Sequence, residues 1–127
     1  MPARIIALFL LAALHGCRDE LPEGRRVEVP PAGETPVEVR VARGDLIVLA
    51  APMKPVHPDF AGAEIRAEYD ETLLRLENRH VDRSMYGATV EYFDFRAAKT
   101  GEVDVVLRVV APKATKEKSA RYRVRID

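Results

Sequence analysis

In VEVRV, residues 37 to 41, every second position is valine, and Glu38 and Arg40 stand between. Successive side chains of an extended strand point to opposite sides, so the valines share one face and the charges the other. The same rhythm returns along the chain. Arg43-Gly44-Asp45 interrupts it with a turn, and LIVLAA, Leu46 to Ala51, follows as an apolar strand. ATVEYFDFRA, Ala88 to Ala97, sets Phe93, Phe95 and Ala97 on one side. Lys99 to Glu102 then turns the chain into VDVVLRVV, where Val103, Val105, Leu107 and Val109 share a face. ARYRVRI ends the pattern by burying Tyr122, Val124 and Ile126 and exposing Arg121, Arg123 and Arg125.

Ala63 to His80, AEIRAEYDETLLRLENRH, reads in two ways. Ile65, Tyr69, Leu73 and Leu76 recur near helical spacing. The segment also reads as two strands, with Ile65, Ala67 and Tyr69 on one face, an Asp70-Glu71 turn, and then Leu74 and Leu76. The all-β surroundings favour the strands. Seven or eight short strands separated by turns predict an immunoglobulin-like antiparallel β-sandwich over residues 36–127. Residues 17–35 are charged and rich in Pro and Gly and read as a tether, within which RRVEV, Arg25 to Val29, can form a short first strand.

The N-terminus follows another pattern. Met1 to Arg4 is short and basic, and Ile5 to Leu14 carries no charge. A run of about ten apolar residues is too short to span a bilayer as a helix but fits the apolar region of a signal peptide. Cys17 is the single cysteine, so it forms no disulfide within the chain and belongs to no multi-thiolate metal site. Leu14-His15-Gly16-Cys17 resembles the bacterial lipobox in Leu14, Gly16 and Cys17. That resemblance implies a signal peptide over 1–16, lipidation at Cys17, and an exported protein anchored in the cell envelope. Arg18 after the cysteine points to the outer membrane, facing the periplasm.

Charge and chemistry narrow the function. Twenty basic and twenty acidic residues cancel, which speaks against nucleic acid as a partner. Ser84 and Ser119 lie in no nucleophile motif and no phosphate-binding glycine loop is present, so we expect neither an enzyme nor a cofactor. Two His-x-Asp pairs, His57-Pro58-Asp59 and His80-Val81-Asp82, would each face one side of an extended segment; nothing in their spacing matches a known metal site. The basic residues of the last hairpin, Arg108, Lys113, Lys116, Lys118, Arg121, Arg123 and Arg125, suit either acids on neighbouring strands or an anionic surface.

The order of strands and loops, above all TVEYFDFRAAKTGEVDVVLRV after LIVLAA and a Pro-rich loop, resembles the chagasin-type inhibitors of cysteine peptidases. The resemblance implies inhibition through three loops at one end of the sandwich. In this chain those loops read HPDFAG, MYGAT and Ala111-Pro112-Lys113. Pro58, Gly62, Gly87 and Pro112 match the family's backbone-shaping positions, whereas its Thr pair and Trp anchors are absent. We therefore expect a non-enzymatic protein-binding module, with His57, Pro58, Phe60, Gly62, Tyr86, Gly87, Pro112 and Lys113 as the recognition residues. Its partner is expected to be a papain-like peptidase or an envelope complex.

Overall fold

The computed structural model describes residues 23–54, 60–83, 89–113 and 118–127. Eight strands occur in the order β1 (Arg26–Glu28), β2 (Val37–Val41), β3 (Leu46–Ala50), β4 (Glu64–Glu68), β5 (Leu74–Arg83), β6 (Thr89–Ala97), β7 (Gly101–Val110) and β8 (Lys118–Ile126). They form two four-stranded sheets, β1-β3-β6-β5 and β2-β8-β7-β4, facing each other as a sandwich. The valines of β2, Phe93, Phe95 and Ala97 of β6, the alternate residues of β7, and Tyr122, Val124 and Ile126 of β8 meet in one core. The alternation legible in the sequence is therefore the inward face of each sheet.

The strands at the ambiguous segment, β4 and β5, belong to different sheets: β4 pairs with β7 and β5 with β6. The turn between them is set by Asp70, whose Oδ1 accepts from the Thr72 amide at 2.9 Å and from its hydroxyl at 2.6 Å. Such an Asx turn competes with helix at that point.

Two differences from the expected antiparallel sandwich stand out. First, β1 runs parallel to β3 and β2 parallel to β8, while the other pairings are antiparallel. Second, part of the stretch read as a tether lies against the sandwich. Val27, Val29 and Ala32 pack on the core, the Ala32 amide donates to the Tyr122 hydroxyl at 3.1 Å, and the Arg121 amide donates to the Gly33 carbonyl at 3.0 Å. Gly24 sits so close to the β2–β3 turn that a Cβ there would overlap the Gly44 carbonyl and the Asp45 nitrogen. Polar composition concealed these contacts, which use backbone groups and three small apolar side chains.

A bulge at Glu77 separates the pairs Leu76–Phe95 and Asn78–Asp94. The extra residue reverses the facing of everything after it. Arg79 then lies opposite Phe93 on the inner side, and His80 lies opposite Tyr92 on the outer side. β5 thus continues past His80, the end of the segment read as strand or helix, to Arg83 and reaches ten residues.

Candidate functional site: the loop end

β3 ends at Ala50, β4 begins at Glu64 beside Val110, β6 begins at Thr89, and β8 begins at Lys118. Lys54 bridges to Thr89, with its amide donating to the Thr89 carbonyl at 3.2 Å. The Lys118 ammonium lies over the Phe60 ring at 5.6 Å. These contacts bring the β3–β4, β5–β6 and β7–β8 connections to one end of the sandwich.

Among the expected recognition residues, Phe60, Gly62, Pro112 and Lys113 are described, and all belong to this end. Phe60 opens a turn closed by the Ala63 amide on its carbonyl at 3.1 Å. Its ring packs partly on the core and receives Lys118 on a face, so it both caps the core and presents a polarised surface. Gly62 has φ of 74°, the left-handed region that favours glycine. Pro112 and Lys113 form an exposed turn after β7. His57, Pro58, Tyr86 and Gly87, with Cys17, lie outside the described residues. The first His-x-Asp pair lies there too, while His80 and Asp82 both fall on β5.

Beneath the loops the two sheets are held by side chains. Arg79 Nη2 donates to both carboxylate oxygens of Glu91, at 2.8 and 2.9 Å, and approaches the Ile65 carbonyl at 3.5 Å. Its guanidinium covers the Phe93 ring at 4.5 Å. The Tyr122 hydroxyl donates to the Ala50 carbonyl at 2.6 Å while accepting from Ala32; burial pushes its phenol pKa up. The first loop therefore leaves the sandwich from a residue pinned across both sheets.

Met53 and Lys54 fall in the loop Pro52 to Gly62, whose sequence marks a binding edge without singling them out. Met53 is 51% exposed, one of two large apolar residues so exposed among those described. Its place just after the apolar strand and before a Pro-rich segment was the available signal. Together with Lys113 and Lys118, Lys54 gives this end three ammonium groups, none in an ion pair among the described residues. The arginines of β7 and β8 are different. Arg123 meets Asp104 at 3.2 Å and Glu38 at 3.9 Å, Arg125 meets Asp127 at 3.5 Å, and Arg108 meets Glu68 at 3.3 Å. These three arginines are paired with acids of the neighbouring strands and the C-terminus.

No protein-family model matches the chain, and no curated protein matches it. Among solved structures, the fold is similar to the crystal structure of the cysteine protease inhibitor EhICP2 from Entamoeba histolytica. The TM-score is 0.60 at 17% identity, covering 84% of this chain and 99% of that one. The solution structure of amebosin matches with a TM-score of 0.42 at 13% identity, over 84% of this chain and 100% of that one. At such identities the first likeness concerns the fold alone: this chain shares its β-sandwich fold with that solved structure.

Proposed function

We propose that this chain is a non-enzymatic protein-binding module that recognises its partner through the loop end. The observation that carries this reading is the convergence of three connections at one end of a sandwich whose fold a cysteine protease inhibitor shares. Exposed Met53, the Phe60–Lys118 pair and Lys113 supply an apolar and cationic surface of the kind that protein interfaces use. A papain-like peptidase is the partner class that the resemblance favours. The test is a tight-binding titration of residues 18–127 against a panel of papain-like peptidases. Nanomolar inhibition, reduced by substitution of Phe60 or Lys118, supports the reading; no inhibition at tens of micromolar removes peptidases as the target.

A second reading is favoured by the loop sequences themselves. HPDFAG, MYGAT and Ala111-Pro112-Lys113 keep the residues that bend backbone but not the family's Thr pair or Trp anchors, and anchors provide most of an interface's energy. On this reading the scaffold is an adaptor in an envelope assembly. Crosslinking from Met53 to envelope proteins, without peptidase inhibition, is its signature.

Cys17 is proposed as the lipid anchor, placing the module at the bacterial envelope, on the periplasmic side of the outer membrane. Two or three acyl chains anchor stably where one does not, at about 0.8 kcal/mol per buried methylene. Metabolic labelling with a fatty acid should mark the protein and be abolished by Cys17→Ser. Labelling that persists in that variant would exclude this anchor.

A further inference from the structure

Three acidic side chains are buried among the described residues: Asp45, Glu91 and Asp94. Asp45 accepts from two backbone amides and faces Arg25, and Glu91 is held by both contacts from Arg79. Asp94 differs. It lies on the outer face of its sheet beside Val48, its side chain is only 8% exposed, and its partner is the Nε2 of His80 at 3.2 Å. Burying a carboxylate behind a single imidazole is costly, and the core on the opposite side of the sheet does not require it.

This contact fixes the His80 ring, which stacks on Tyr92 with centroids 5.3 Å apart and planes 16° apart. The stacked rings form one wall of a groove of about 370 Å³; Val48 lies within it, and the segment Arg26–Pro31 forms the other side. Val29 and Pro31 supply apolar lining, and Glu28 and Asp82 supply carboxylates. Arg26, the one fixed cation of the lining, already faces Glu28 at 3.5 Å. The groove therefore combines an aromatic wall, an apolar strip and an excess of negative charge.

We propose that this groove takes a basic side chain of a partner protein, with arginine preferred. An alkyl stem suits Val29, Pro31 and Val48, and a planar guanidinium suits both the Tyr92 ring and a carboxylate such as Asp82. Phosphate and other anions are disfavoured by the same acids. Asp94 is a positioning residue, acting through His80. The site lies on a sheet face rather than in the loops, so it stands independently of peptidase recognition.

The test is an NMR titration of the full chain in neutral detergent with Nα-acetylarginine amide. Nα-acetyllysine amide and Nα-acetylglutamine amide serve as comparisons. Arginine should give saturable shifts at about millimolar concentration, centred on Val48, His80 and Tyr92, with lysine weaker and glutamine without effect. Replacing the exposed acids, as Glu28→Gln with Asp82→Asn, should weaken arginine binding about fivefold while leaving the spectrum otherwise unchanged. Shifts that do not saturate, equal response to glutamine, or full arginine affinity in the double variant would overturn the proposal.

Discussion

The two ends of this sandwich are built from different material. At the turn end, short connections are knitted to each other through backbone. The Gly44 amide donates to the Ala97 carbonyl and the Ala97 amide to the Asp45 carbonyl, at 2.8 and 2.9 Å; the Ala98 amide donates to the Leu73 carbonyl at 2.8 Å. Asp45, 2% exposed, accepts from the amides of Ala42 and Arg25, each at 2.9 Å. Arg96 bonds both oxygens of Glu77 and reaches the Gly44 carbonyl. At the loop end, the joints lie below the loops, in Arg79–Glu91 and Tyr122, and three lysines above them make no ion pair among the described residues. Among the described residues, the fold engages the charged groups of the turn end and leaves these three lysines of the loop end outside its ion pairs.

The largest effect expected from breaking the turn end is that of Asp45→Ala. It leaves two part-buried amides without their carboxylate acceptor and removes the partner of Arg25. A loss of about 2 kcal/mol in chemical denaturation follows from removing an acceptor shared by two part-buried donors. An unchanged midpoint would show that water replaces the carboxylate and that this end is no joint. Tyr122→Phe is its counterpart beneath the loops. The phenyl ring keeps the packing, but the Ala50 carbonyl and Ala32 amide lose their partner, for about 1–2 kcal/mol.

How much of this was legible differs between the ends. Alternation in VEVRV and VDVVLRVV, with Arg43-Gly44-Asp45 and Lys99-Thr100-Gly101 between strands, marked the sandwich and its turns because core burial fixes a period of two. The bulge at Glu77 carried no such mark. The bulged residue is held by a cross-strand match, Glu77 against Arg96, that joins residues 19 apart. Without the bulge His80 would point inward, and neither the His80–Asp94 contact nor the groove would exist. The docking of β1 was equally hidden, since Gly24 against Gly44 and Arg25 against Asp45 are contacts with the β2–β3 turn rather than patterns within a segment. Loop positions such as Gly62 were readable because a positive φ has a residue signature.

Acid should loosen the turn end selectively. Burial pushes the Asp45 carboxyl up, but the amides of Ala42 and Arg25, with the Arg25 guanidinium, outweigh it and hold the value below the ordinary 3.8. Hydrogen bonds from Thr72 lower Asp70, and those from Arg96 lower Glu77 from the ordinary 4.5. Carboxylates with depressed folded values contribute stability that is complete above their unfolded values and lost as pH falls through the folded ones. Stability should therefore be level above pH 4.5 as far as these three groups are concerned, and decline below 3.8. In hydrogen exchange across that range, the Arg25 and Ala42 amides should lose protection before those of β7. Loss of protection first in β7 would place the acid-sensitive groups elsewhere.

The smallest structural effect, and the sharpest contrast, should come from the lysines of the loop end. Lys113 and Lys118 are exposed, and among the described residues their one side-chain contact is that of Lys118 with the Phe60 ring. A Lys54→Gln, Lys113→Gln, Lys118→Gln variant should melt within about 2 °C of the parent, since surface substitutions away from buried joints cost little. If the lysines guide recognition, the same variant should associate more slowly with a partner of the loop end, and the salt dependence of its association rate should shrink. A large fall in melting temperature would show that these lysines hold the loops together. The two ends would then be alike, each with its charges committed to the fold, and the surface that recognises a partner would have to lie on a sheet face.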